Sequence, residues 1–109
     1  MKNFVQPGDT LTLTAPYDVA SGAGMLVGLI FAVAAFTALS GAQVEGVTKG
    51  VFDLTALSTD TATVGAAIYW DNTNKRCTTS SSGNTKIGVA TAVKANGAAT
   101  VRVRLNGVF

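Results

Sequence analysis

Ser80, Ser81 and Ser82, followed by Lys86, are the closest this chain comes to a nucleophile beside a base. A serine hydroxyl needs such a neighbour to attack at neutral pH. The cluster runs straight into Gly83-Asn84, however, and serines ahead of Gly-Asn read as a solvated loop. The carboxylates are Asp9, Asp18, Glu45, Asp53, Asp60 and Asp71, and no two are close enough in sequence to suggest an acid–base pair. Several sit where turns are expected, and aspartate is favoured there because its side chain accepts from nearby backbone N–H groups. With no histidine and only one cysteine, Cys77, neither a zinc site of the Cys/His type nor an internal disulfide can form. Lys75-Arg76 would lower the Cys77 pKa if the thiol were exposed, but a small residue inside a strand is the simpler reading.

Two glycine- or asparagine-rich stretches fail on spacing. Gly22-Ala23-Gly24-Met25-Leu26-Val27-Gly28 places its third glycine one residue too far for a dinucleotide loop. Asp71-Asn72-Thr73-Asn74 lacks the third- and sixth-position residues of a calcium loop. No catalytic residue, cofactor site or metal site is therefore assigned.

The elements that carry these residues are short. At 109 residues the chain reads as one domain, 1–109, with an extended arm at 1–7. Charged residues make up only 13%, well below the usual ~25%, which leaves neutral surface suited to burial against other subunits. The net charge is +2 and the basic residues are scattered; Lys75-Arg76 and Arg102/Arg104 are too thin for a phosphate track, so no nucleic-acid partner is expected. No apolar segment follows Lys2, so no signal peptide is expected.

From Val19 to Val44 there is no charged side chain. Three readings compete for this stretch: two strands buried on both faces, a buried helix, and a membrane span. Glycines at 22, 24, 28 and 41 cut it into short lengths, and no lysine or arginine flanks it to set an orientation. Buried strands at 25–27 and 29–34, turning at Gly28, are the favoured reading, and no membrane partner is expected.

Elsewhere, Thr10-Leu11-Thr12-Leu13-Thr14 alternates as a half-buried strand. Residues 44–52 read as one strand whose apolar phase slips at Gly46-Val47, which suggests a bulge. Residues 55–63 read as a surface connection. Strands are expected at 66–70, 75–79, 86–93 and 99–105, the last two joined by an Asn96-Gly97 hairpin turn. The fold class is all-β: a small single-domain barrel or sandwich of short antiparallel strands with a flexible N-terminal arm. Ile30–Phe52 and Ile87–Phe109 align without gaps, both ending in Gly-Val-Phe, and suggest a duplicated strand–hairpin unit. In a strand over 66–70 only one of Tyr69 and Trp70 can face the core. Trp70 is the favoured core residue, and the other ring is left for solvent or an interface.

Several segments, in order, resemble a family of small tailed-phage capsid cement (decoration) proteins. They are Lys2-Asn3-Phe4-Val5-Gln6-Pro7-Gly8-Asp9-Thr10-Leu11-Thr12-Leu13-Thr14-Ala15-Pro16, Gly50-Val51-Phe52, Ile68-Tyr69-Trp70-Asp71, Gly83-Asn84-Thr85-Lys86-Ile87-Gly88-Val89-Ala90 and Val101-Arg102-Val103-Arg104-Leu105. The chain departs from the pattern in its more apolar 29–36 stretch and in the tail Asn106-Gly107-Val108-Phe109.

The resemblance implies a structural virion protein, made in the host cytoplasm. It would bind the outer surface of the head and clamp adjacent major capsid proteins, stabilising the expanded shell. It also implies self-association, with a homotrimer preferred to a homodimer. The alternative is a small β-barrel adaptor of the phage neck or tail. Candidate contact residues for capsid or self are Lys2, Asn3, Phe4, Val5, Tyr69, Trp70, Arg102 and Arg104. The arm at 1–6 would order on the shell as an added strand with Phe4 and Val5 as anchors, or Phe4 would cap this domain's own core.

Overall fold

In a computed structural model of the chain the described residues are 9–106, and none of them is helical. Nine strands form two antiparallel sheets. The first sheet has the order β1-β4-β3-β2, from β1 (Thr10–Thr14), β2 (Gly24–Val27), β3 (Ile30–Ala34) and β4 (Gln43–Val47). The second has the order β5-β9-β8-β6-β7, from β5 (Lys49–Thr55), β6 (Ala67–Asp71), β7 (Arg76–Thr78), β8 (Thr85–Ala90) and β9 (Thr100–Asn106). This sheet curls on itself: Ala56 and Cys77 bridge in parallel, and the Leu57 N–H donates to the Cys77 carbonyl at 2.9 Å.

The uncharged stretch is the β2–β3 hairpin. Val27 pairs with Ile30 across Gly28-Leu29, and Gly28 has φ +60° while Leu29 does not adopt a left-handed backbone. Glycine in the first central position is what a type II′ hairpin turn demands. The strand is apolar at every position because both faces are covered. Phe31 and Val33 join a core shared with Leu54, Ile68, Trp70, Val101 and Val103 of the second sheet. Met25, Ala32, Ala34 and Val44 form a second core with Ala15, Val19 and Ala38. Among the described residues no helix is long and apolar enough to cross a membrane.

Three expectations need correction. Residues 44–52 are not one bulged strand: β4 and β5 divide at Thr48 and belong to different sheets. Inward and outward positions alternate without a break through Gly46. The apparent slip arises because an inward position is glycine, where a Cβ would lie 2.8 Å from both the Ala32 Cβ and the Met25 Cε. The register shift falls instead opposite Ile68/Tyr69 and leaves Ile87 unmatched. That bulge turns Ile87 and Gly88 inward in succession. The Asn96-Gly97 dipeptide does not close a two-residue hairpin. The β8–β9 ladder ends at Ala90↔Val103, and the Gly97 N–H donates across to the Ser58 carbonyl at 2.6 Å. Residues 55–63 are likewise more than a surface connection, since Ala56 and Ala62 are buried and Ala62 bridges Lys94.

The duplication extends further than the sequence alignment. Strands β1, β2, β3 and β4 occupy the same places in sheet one as β5, β6, β8 and β9 in sheet two. The pairings correspond residue by residue: Leu13↔Val44 with Leu54↔Val101, Met25↔Ala32 with Ile68↔Gly88, and Ala34↔Gly46 with Ala90↔Val103. Isolated bridges match too, Val19↔Ala38 with Ala62↔Lys94. The ungapped alignment places Ala90 opposite Val33, whereas the pairing places it opposite Ala34. Inside the second repeat, β7 and its flanking turns stand where the first has only Gly28-Leu29. Gly107, Val108 and Phe109, which carried part of the alignment, lie outside the described residues.

Candidate docking face

Strand alternation decides which aromatic is available. Trp70 is 3% exposed, with its ring 5.0 Å from that of Phe31 and its N–H donating to the Asn72 Oδ1 at 3.1 Å. It belongs to the seam between the two sheets, and not to the solvent surface where a contact residue must lie. The same seam explains Gly24, where a Cβ would meet Phe31 at 2.7 Å and Trp70 at 2.9 Å. Tyr69 points the other way and is half-buried.

The register places the remaining candidates beside it. Arg104 pairs with Val51 on one side and Val89 on the other, and Val89 pairs with Ala67, two residues before Tyr69. Paired residues share a face, as do residues two apart in one strand. Tyr69, Arg102 and Arg104 therefore lie on one outward face of sheet two, with Val51, Val89 and Ala67. Val51 is 53% exposed. Neither Val51 nor Val89 is among the contact residues expected from the sequence, although strict alternation in Val101-Arg102-Val103-Arg104-Leu105 fixes the phase of this face. Lys2, Asn3, Phe4 and Val5 lie outside the described residues.

The charges are arranged unevenly. Arg102 grips Asp53 with two bonds, Nε to Oδ1 at 3.0 Å and Nη2 to Oδ2 at 3.2 Å. The guanidinium holds the Asp53 carboxyl below the usual aspartate range. Both groups are largely exposed, so the pair fixes the Arg102 side chain more than it stabilises the fold. Among the described residues Arg104 and Lys86 make no ion pair, which leaves this face net positive. Beside Tyr69 the face opens into a groove of about 750 Å³ walled by Thr61, Thr63, Ala66, Ser81 and Asn96. Lys94 reaches its floor but is only 4% exposed, and its ammonium donates to the carbonyls of Asp60 at 2.7 Å and Ser58 at 3.2 Å.

The other candidate chemistry is structural in use. The Asp71 carboxylate accepts from the backbone N–H groups of Thr73 and Asn74 and from the Asn74 side chain, which closes the β6–β7 turn. Those bonds hold its pKa low. Cys77 is fully buried, and burial pushes its thiol up to about 12. Among the described residues no three of His, Cys, Asp and Glu gather as a metal site. No hydrogen bond joins Lys86 to Ser80, Ser81 or Ser82.

The face thus combines small apolar side chains with a tyrosine and, among the described residues, a guanidinium at Arg104 that makes no ion pair. The family model for phage cement protein matches residues 5–105. The chain belongs to that family. No curated protein and no solved structure matches it. Membership makes this cement protein a structural component of the phage capsid, with capsid protein as its partner and the virion as its location. The matched range includes Tyr69, Arg102 and Arg104 and almost all of both repeats.

Proposed function

We propose that this cement protein binds the outer surface of a tailed-phage head and clamps adjacent major capsid proteins, stabilising the expanded shell. The observation that carries the reading is the single face on which Tyr69, Arg102 and Arg104 meet Val51 and Val89. Its apolar strip offers area to bury, and the tyrosine is the residue type that dominates such contacts. Arg104 and Lys86 favour a partner patch carrying carboxylates. A ligand that binds the assembled, expanded shell and not its dissociated subunits stabilises that state by mass action. Since mass action needs no chemistry, a structure built around turns and a packed seam is sufficient for it.

The test is to mix purified protein with expanded, undecorated heads, sediment them, and measure bound copies and the thermal resistance of the heads. Saturation at a fixed ratio to the capsid subunit, with more resistant heads, is expected. A few copies per particle, or none, would contradict the clamp and point to a neck or tail position.

A further inference from the structure

We propose that β1 is a self-pairing edge, through which two copies of this chain join about a twofold axis centred on Thr12. The inference does not depend on the capsid reading.

The backbone of β1 is used on one side only. Asp9 and Ala15 turn towards β4 and its flanks: the Asp9 carbonyl accepts from the Thr48 N–H, and Ala15 exchanges bonds with Ala42 and Gly41. Antiparallel alternation then turns Leu11 and Leu13 the same way, and sends the N–H and C=O groups of Thr10, Thr12 and Thr14 outward. Among the described residues no strand pairs with that outer edge.

The other edges are managed. β2 is short, and its Gly24 carbonyl accepts from the Tyr17 hydroxyl at 2.9 Å, with Lys75 seated 4.2 Å from the Tyr17 ring. β5 and β7 meet at the Ala56–Cys77 bridge, and both carry charge, Lys49 and Asp53 on one and Arg76 on the other. Edge charges and side-chain plugs are the usual devices against unwanted pairing. The five residues of β1 carry no charge and no proline.

The occupant follows from the order of those residues. Thr-Leu-Thr-Leu-Thr reads the same in both directions. An antiparallel copy centred on Thr12 sets Thr12 against Thr12, Leu11 against Leu13 and Thr10 against Thr14 of the second copy. All three threonine pairs are hydrogen-bonded pairs in that register, and threonine against threonine is a favourable cross-strand match. The exposed threonines stay on the solvent side and the half-buried leucines on the packed side, so no side chain changes environment. Asp9 and Pro16 bound the pairing and fix its length. Such an isologous contact closes after two copies, whereas the family resemblance favoured three.

The test uses the full chain in sedimentation velocity over a concentration series, with disulfide trapping. Wild-type protein should show a monomer–dimer equilibrium and a melting temperature that rises with concentration. Thr12→Lys, which places two ammonium groups at the axis, should be a folded monomer whose melting temperature does not change with concentration. Under oxidation Thr12→Cys should trap a covalent dimer, because hydrogen-bonded pairs hold their Cα atoms about 5.5 Å apart, within disulfide reach. Thr10→Cys should not, since in this register its copies lie on the order of 13 Å apart. Cys77 is buried and does not compete. A wild-type monomer at every concentration, a dimer that survives Thr12→Lys, or equal trapping by Thr10→Cys and Thr12→Cys would each overturn the proposal.

Discussion

Replacing Gly46 by alanine places a methyl group where the Ala32 Cβ and Met25 Cε would each be 2.8 Å away and the Leu13 Cδ1 3.1 Å away. The two longer side chains can swing their ends aside. The Ala32 methyl is fixed to the backbone of a strand that is paired on both sides, so it cannot. Overpacking of this kind costs about 1–3 kcal/mol. In the second repeat the corresponding positions are Gly88 and Val103, with the small and the larger residue exchanged: Gly88 takes the place of Ala32 and Val103 that of Gly46. The cause differs between the repeats: a Cβ at Gly88 would meet the Arg104 carbonyl oxygen at 2.1 Å before the Val103 Cγ1 at 3.1 Å, so backbone excludes it there, whereas side chains alone exclude it at Gly46.

Removing the Ala32 methyl should therefore relieve Gly46→Ala. Ala32→Gly alone costs roughly 0.5–1 kcal/mol from lost packing and added chain entropy. The double variant should be more stable than the sum of the single effects by about 1–2 kcal/mol, within the range measured for touching residues. For a domain of this size each kcal/mol moves Tm by about 4–8 °C, so thermal unfolding of the four proteins resolves the coupling. Strictly additive losses would refute the claim that the two positions share one space.

Three further outcomes are expected. Lys94→Met keeps the volume but leaves the Asp60 and Ser58 carbonyls without their ammonium donor, and should cost about 1–3 kcal/mol in denaturant unfolding; an unchanged midpoint would show those bonds contribute nothing. Because burial raises the Cys77 thiol to about 12, the unfolded chain gives up that proton first. Stability should be level below the ordinary thiol range and fall as pH rises through it towards 12, and Cys77→Ser should flatten that fall; an identical fall in both proteins would contradict the assignment. Thr12→Lys should abolish self-association and with it the concentration dependence of the melting temperature; a variant whose melting temperature still rises with concentration would contradict the β1 interface.

What was legible in the sequence follows from what a strand encodes locally. β1 and β9 alternate cleanly because each has one buried and one solvated face. The Gly28 turn was visible because a positive φ needs glycine. The tyrosine of the docking face followed from alternation once Trp70 was given to the core. The break at Thr48 was hidden because β4 and β5 are nearly contiguous, and only their partners, β1 and β3 against β9, reveal two sheets. The duplication was half-visible. β3/β8 and β4/β9 keep some identities, whereas β2 and β6 share only an inward, fully buried second residue, Met25 in one and Ile68 in the other. Lys94 in the place of Ala38 could not be foreseen, since the carbonyls that hold its ammonium come from a loop far off in sequence.

The docking face is the centre of the account, and head binding by two surface variants tests it most directly. Tyr69→Ala and Arg104→Glu each alter an outward side chain and should leave the fold intact. In co-sedimentation with expanded, undecorated heads, wild-type protein should saturate the shell. Tyr69→Ala should bind at least tenfold more weakly, the size expected for loss of an interface tyrosine, and Arg104→Glu should weaken binding in a salt-dependent way. Folded variants that bind as tightly as wild type would place the capsid contact elsewhere on the molecule.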